Sequence, residues 1–599
     1  MSLIEHPERT QLYRTSTLER NPSWRARLGH SARTIVRHVT KHVGVGIICS
    51  VAYFDPGNWS VDLQAGSLFG YRPMLFVLLM AGLGAMVLQS LAFKLGCVTG
   101  LDLAAHCRVL LYDRPRHKRL IRYTVLYPLY VLCEIAIVST DLAELLGSAI
   151  GLCLIFPSIP LWAGVLITAS DVLIFLILGD PSRGHGRPVR VFEYTVIALV
   201  AAVFICFLIL LVKVSPHWGK AFEGFLPSKK LFQTKPDALY TAVGILGATV
   251  MPHALFLGSY LSTQDRVTPA RTLPVPASAR PTDFKSRVRD WWSSLFTISR
   301  SERVSASKEY RDKYDHQNNQ IDFIRAHLGH GLVDVILSLL GVAVPINAAI
   351  LIIAATVFFK DGSSASAVPA GLFDAHDLIG ENIGKAAAFI FALALLCAGQ
   401  TASITATLAG QIVSEGFIEW RVSPFLRRII TRSIGLVPSM VVAIAVGREG
   451  IDTLLVASQV ALSIVLPFVA APLILLTSSK RVMSVRASPP EAETSVDEQV
   501  AQLPVLSAHP SSDSIEEISG SPGADSQLSD GEKHAIASAQ EAEEKAKVVV
   551  HRSPSSGDED RFIFFTNHWA VTAISAFIFV IILAANVYAI VMLGLGKDS

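Results

Sequence analysis

Asp55, Pro56, Gly57 and Asn58 stand in succession inside an apolar run from about Val43 to Phe69. A carboxylate at membrane depth costs about 2.5–3.5 kcal/mol on insertion scales, so such a residue marks a site by default. Proline withdraws a backbone donor and glycine admits non-helical conformations; together they predict an unwound joint whose freed carbonyls, near Ala52, need partners. A second run, about Ala238 to Leu261, repeats the anomaly at Ala248-Thr249-Val250-Met251-Pro252-His253. If the two joints meet, they bring together the Asp55 carboxylate, the Asn58 carboxamide oxygen, the Met251 thioether and the carbonyls near Ala52 and Ala248. Alkaline-earth sites are built from oxygen alone, whereas a thioether favours softer transition metals. The set therefore points to Mn²⁺ or Fe²⁺, with Co²⁺, Zn²⁺ or Cd²⁺ as competitors. The alternative is a proline kink holding a buried, paired Asp, with Met251 as packing. His253, two residues beyond Met251, has an ordinary pKa suited to proton exchange at mildly acidic pH, and is otherwise a structural histidine.

These joints need a membrane scaffold, and the composition supplies one. Of 599 residues, 51% are hydrophobic and the mean hydropathy is +0.46, which indicates a polytopic membrane protein. The first broken span is followed by spans at about 74–96, 121–154, 161–178, 191–214 and 238–261, then by a long seventh segment to Phe359, an eighth span from about Ile383, a ninth opened by Arg427, Arg428 and Arg432, a tenth over 451–477 and an eleventh over 569–595. Two interrupted helices five spans apart predict inverted repeats meeting at a midplane site. Glu134, Asp141 and Glu144 lie along one face of the third span and, with the ninth-span arginines, offer acid and base pairs for a separate proton route. Glu193, at a span end, reads as an interfacial charge, and Asp171 as the ionisable residue of the fourth span. The small residues from Gly399-Gln400 to Gly416 permit close helix packing.

The connections divide the chain into a basic tail (1–42), the first repeat with the sixth helix (43–261), a basic loop (262–320), helices seven to ten (321–477), an acidic, Ser-rich disordered linker (478–560) and the eleventh helix with a short tail (561–599). The tail holds eight Lys and Arg and no long apolar run, so no cleavable signal peptide is visible and the N-terminus is expected in the cytoplasm. Both linkers then fall on the cytoplasmic side, where regulatory proteins could bind; Trp291-Trp292 and Phe296 could touch the membrane surface. The net charge of +3 bears on orientation and not on nucleic acid. Seven scattered cysteines form no CxxC pair and read as packing residues.

The sequence resembles the natural resistance-associated macrophage protein (Nramp) divalent-metal transporters, in particular their fungal manganese branch. The matching residues are Asp55-Pro56-Gly57-Asn58, Met251-Pro252-His253, Thr140-Asp141-Leu142-Ala143-Glu144, Gly399-Gln400 to Gly416, and Ser458-Gln459-Val460. The resemblance implies an all-α, leucine-transporter-like fold with 5+5 inverted repeats and about eleven transmembrane helices. It also implies symport of Mn²⁺ or Fe²⁺ with protons by alternating access, the metal being cargo and no cofactor being needed. Asp55, Asn58, Met251 and the Ala248 carbonyl match the family's metal ligands, with the Ala52 carbonyl and Gln459 contributing in some conformations. His253, Glu134, Asp141, Glu144 and either Arg428 or Arg432 match its proton-pathway positions; Pro56, Gly57 and Pro252 match its hinges. One position departs: Ala254 stands where the family commonly has Asn, which removes a hydrogen-bonding group beside the hinge.

Two other readings compete. An amino-acid/cation symporter of the same architecture would have Asp55 repelling its substrate's carboxylate. A nutrient-sensing receptor would use the scaffold to signal through its long polar tails. An enzyme is disfavoured, because no nucleophile and base, phosphate loop or cofactor motif occurs at plausible spacing. The membrane is expected to be the plasma membrane or that of an endosome or vacuole.

Overall fold

The computed structural model describes residues 44–179, 190–233, 237–267, 318–359, 371–419, 424–486 and 562–594. The first apolar run is two helices, α1 (Val45–Val51) and α2 (Pro56–Phe69), separated at the predicted joint. α3 (Met74–Thr99) leads to α4 (Leu103–Leu111), whose N-terminus is capped by Asp102 accepting from the Ala105 amide at 2.9 Å. A single turn, α5 (Lys118–Ile121), runs through a π turn at Arg122–Leu126 into α6 (Tyr127–Ile155). α7 (Leu161–Gly179), α8 (Arg190–Val214) and the short α9 (Trp218–Gly224) complete the first half.

The sixth run is again two helices, α10 (Ala238–Thr249) and α11 (Pro252–Leu261). α12 (Ile321–Ser338) continues through a π turn at Leu339–Ala343 into α13 (Val344–Val357). Each π turn precedes a helix with proline at its second position, Pro128 or Pro345, where the widened turn accommodates a residue without an N–H. α14 (Leu372–Asn382), α15 (Lys385–Ile418), α16 (Pro424–Ala445), α17 (Arg448–Ser478) and α18 (Trp569–Gly594) follow.

Seven of the described segments are long and apolar enough to cross a membrane: α3, α8, α10 with α11, α12 with α13, α15, α17 and α18. Two more, α7 and α16, are shorter, at 19 and 22 residues, and carry charged residues within their length: Asp171 in α7, and Arg427, Arg428 and Arg432 in α16. The remaining two are the broken first span and α6, which carries Glu134, Asp141 and Glu144 within its apolar length. These make eleven spans, and the two five-span halves each open with a broken helix. Val61 and Ala65 of α2, Ile245 and Ala248 of α10 and Leu351 of α13 share one buried apolar cluster, which sets the two broken spans side by side.

Several connections differ from expectation. The basic connection after α3 and the lysine-containing loop after α8 contain α4 and α9, and the polar loop around Asp374 contains α14, an amphipathic helix burying Leu372, Phe373, Ala375 and Ile379. Helices of 7 to 11 residues are too short to register in a hydropathy window of membrane-span length. The basic loop expected from residue 262 begins later, since Ser262, Gln264 and Arg266 are buried. The remainder of that loop, including Trp291-Trp292 and Phe296, lies outside the described residues, as do residues 1–43. The linker expected over 478–560 has structure at its margin. Residues 484–564 form a separate unit whose described part is an antiparallel pair, β1 (Ser484–Arg486) and β2 (Phe562–Phe564), with Ser484 opposite Phe564. Residues 487–561 lie outside the described residues.

Candidate metal site

Pro56 and Pro252 occupy the residues four positions after Ala52 and Ala248, where an unbroken helix would take the amide N–H for those two carbonyls. Neither proline has one to give, so each break frees a carbonyl at the same relative place. The residue before a proline is held in extended backbone, and both do this: Asp55 has ψ 168° and Met251 has ψ 124°. Each is the N-cap of its second half-helix, so the carboxylate and the thioether hold equivalent positions in the two repeats. Both side chains are buried, Asp55 at 1% and Met251 at 0% exposure.

The two Asp55 oxygens are used differently. Oδ1 accepts from the Asn58 amide at 2.8 Å and so caps α2, whereas Oδ2 has no hydrogen-bond partner among the described residues. Asn58 donates through Nδ2 to the Tyr53 carbonyl at 2.6 Å, leaving its Oδ1 unpartnered. Asn347, at the start of α13, donates to the same carbonyl at 2.6 Å and also leaves its Oδ1 unpartnered. Trp59 Nε1 takes the Phe54 carbonyl at 2.9 Å. The joint is thus held open by side chains that turn their donors to the backbone and leave oxygen acceptors over. Buried acceptors without partners are costly, and a cation is a natural occupant of such a group.

Gln459 of α17 touches both breaks. Its Nε2 lies against Gly57, where a Cβ would overlap it, and donates to Ser458 Oγ at 3.2 Å. Its backbone carbonyl lies against Gly247, in the last turn of α10; a Cβ there would stand 2.8 Å from that oxygen and 2.6 Å from the Ser463 Cβ. Gln459 Oε1 is buried and unpartnered. The set of buried donors available to a cation is therefore Asp55 Oδ2, Asn58 Oδ1, Gln459 Oε1, the Met251 sulfur and the two freed carbonyls. This is a mixed set, harder than a thiolate site and softer than an all-oxygen one.

α6 connects this region to charged groups through adjacent residues. Thr140 Oγ1 donates to the Ala136 carbonyl at 3.0 Å and stands 3.3 Å from His253 Nδ1. With its hydrogen already committed, the threonine oxygen accepts from Nδ1, which leaves Nε2 of neutral His253 as a lone-pair acceptor, and it has no partner among the described residues. The next residue, Asp141, is paired with Arg432 Nη1 of α16 at 2.5 Å, both side chains being buried. Glu144 is buried one turn further along α6 and Glu134 is half-buried. Among the described residues, Arg432 is the arginine seated on this track. The side chains of Arg427, Arg428 and Asp171 lie outside the described residues.

Three features escaped the sequence. Glu193, expected at the interface, is buried at 2% exposure and paired with Arg266 at 2.6 Å, because the chain after α11 folds inward and not into the loop. Nearby, Asp334 of α12 accepts from the Gly46 amide at 2.7 Å and pins the start of α1. Tyr53, at the joint, donates to Gln89 of α3 at 3.0 Å. The only sequence signal for Asn347, Asp334 and Gln89 was a polar residue inside an apolar run.

The Nramp profile, described as natural resistance-associated macrophage protein-like, matches residues 46–491. Manganese transporter pdt1 of Schizosaccharomyces pombe is 41% identical over 464 residues, covering 77% of this chain and 79% of its own. Manganese transporter SMF1 of Saccharomyces cerevisiae is 34% identical over 99% of this chain and 92% of its own, and iron transporter SMF3 of the same yeast is 38% identical over 75% and 84%. A crystal structure of a mutant Eremococcus coleocola manganese transporter superposes with a TM-score of 0.56 at 25% identity, covering 92% of this chain and 94% of that one. The family match spans both broken-helix halves, and the chain belongs to the natural resistance-associated macrophage protein family.

Proposed function

We propose that this protein is a multi-pass transporter that carries Mn²⁺ and Fe²⁺ across its membrane by alternating access, coupled to protons. The observation that carries the reading is the paired break. Two half-helices present Asp55 and Met251 at equivalent N-cap positions, beside carbonyls that Pro56 and Pro252 leave free and carboxamide oxygens with no other partner. Naming of relatives as manganese, iron and divalent-metal transporters supports the same class of cargo. An unpartnered Asp55 oxygen disfavours an amino-acid substrate, whose carboxylate it would repel.

Proton coupling would run beside the metal site and not through it. His253 and the Asp141–Arg432 pair are reached from consecutive residues of α6, so a proton accepted near the break has an adjacent charged track to follow. The N-terminal residues and both long linkers would face the cytoplasm, with the protein in the plasma membrane or an endosomal or vacuolar membrane.

The test is Mn²⁺ uptake into proteoliposomes with and without an inward acid gradient. The wild type should accumulate Mn²⁺, faster with the gradient. Asp55→Ala should abolish uptake, and Met251→Ala should lose most of the preference for Mn²⁺ over Ca²⁺. Uptake by Asp55→Ala at the wild-type rate would overturn the site.

A further inference from the structure

α18 lies outside the two five-span halves, and most of its surface is apolar and exposed, including Phe577, Val580 and Ile581. One stripe at helical spacing is buried: Ser575, Ile582, Asn586 and Ala589. A carboxamide within a membrane helix needs a partner, and Asn586 has two. Its Nδ2 donates to the Ile582 carbonyl at 3.0 Å, and its Oδ1 accepts from Ser463 Oγ of α17 at 2.8 Å. Ser463 is one turn from Gln459, and both press on Gly247 of α10. Two residues further along α18, Tyr588 donates to Asp237 Oδ2 at 2.6 Å. The other oxygen of Asp237 caps α10, accepting from the Leu239 and Tyr240 amides at 3.0 and 3.1 Å.

We propose that α18 is a clamp that fixes the first half of the sixth span to the tenth span, with Asn586 and Tyr588 as positioning residues for the metal site. Asp237 stands at one end of α10 and Gly247 near the other, beside the break. The clamp therefore holds α10 near both ends: directly at Asp237, and through Ser463 at Gly247. What it sets is the placement of the Ala248 carbonyl and Met251, at the end of α10, relative to Gln459 on α17. Neither residue touches the cation; each acts through a neighbour. This inference rests on the transport reading only for its kinetic consequence.

The experiment uses the full-length chain as wild type, Asn586→Leu, Tyr588→Phe and the double variant. Hydrogen–deuterium exchange requires no transport and reads the clamp itself. Exchange over residues 238–249 should rise in both single variants, at the Asp237 end for Tyr588→Phe and near Gly247 for Asn586→Leu, and rise further in the double variant. In proteoliposomes the KM for Mn²⁺ should rise about three- to tenfold with Vmax changed less than twofold. Unchanged exchange in Tyr588→Phe, which loses one hydroxyl and keeps its ring, overturns the clamp. So does a fall in Vmax at constant KM, which is the mark of a purely structural helix. If the wild type carries no divalent metal, the transport reading fails while the exchange result still decides the clamp.

Discussion

Asp141 and Arg432 are buried together, and a buried pair is worth little against an apolar substitute but a great deal once half of it is removed. Arg432→Gln would strand the Asp141 carboxylate and should lower stability by about 3–5 kcal/mol, read as a fall in the thermal unfolding temperature in detergent. Adding Asp141→Asn should restore most of that stability and leave uptake unresponsive to the acid gradient. Recovery of gradient response in the double variant would show that the pair is structural only. Gln459 separates binding from folding at the same scale. Its Oε1 is unpartnered and its Nε2 donates only to Ser458 Oγ, which itself donates to the Leu455 carbonyl at 2.6 Å, so Gln459→Leu strands no donor. It should raise the Mn²⁺ KM about tenfold, equivalent to about 1.4 kcal/mol, with little change in melting. Which residues were legible follows from how much each one violates its surroundings. Asp55 beside a Pro-Gly pair is unmistakable in an apolar run. Asn347 and Asn586 are single carboxamides that hydropathy tolerates, and their importance comes from partners 294 and 123 residues away. Glu193 was misplaced for the same reason, since Arg266 lies 73 residues beyond it.

Two glycines make the half-helices fit against α17, and they should fail differently. At Gly57 an added methyl meets the end of the flexible Gln459 side chain. Gly57→Ala should therefore fold but displace the amide, raising KM with near-normal melting. At Gly247 the methyl meets backbone and a Cβ, which cannot rotate away. Gly247→Ala must separate α10 from α17, costing about 1–3 kcal/mol of packing and lowering both the melting temperature and the uptake rate. Equal melting of the two variants would mean that α10 shifts freely on α17, contrary to the close approach seen here. Long apolar runs made the spans visible, and the prolines made the breaks visible. α4, α9 and α14 were invisible because each is at most 11 residues long, so a window of membrane-span length averages it with its polar flanks.

An odd number of spans has a consequence for the whole molecule that no local contact can supply. With eleven among the described residues, the chain enters α1 and leaves α18 on opposite faces of the membrane. Residues 262–320 follow six spans and residues 478–560 follow ten, so both share the N-terminal face. We propose, from the Lys and Arg of the N-terminal tail, that this shared face is the cytoplasmic one. The shortest members of the count are α7 and α16, whose 19 and 22 residues are about 28 and 33 Å long against a hydrocarbon core of about 30 Å, and each carries charge: Asp171 in α7, and Arg427, Arg428 and Arg432 in α16. Epitopes placed before residue 44, within 268–317 and after residue 594 test the count in cells that display the protein at their surface. The first two should be reached by antibody only after permeabilisation, and the third without it. Should one of the short helices fail to cross, the third epitope would move to the cytoplasmic face. A fourth epitope within 180–189, after the fourth span, would then identify which helix failed. It turns outward if α7 does not cross and stays cytoplasmic if the fault lies at α16. The broken first span and the third span keep their faces in either case, so Asp55 and the α6 track would remain where the metal chemistry needs them.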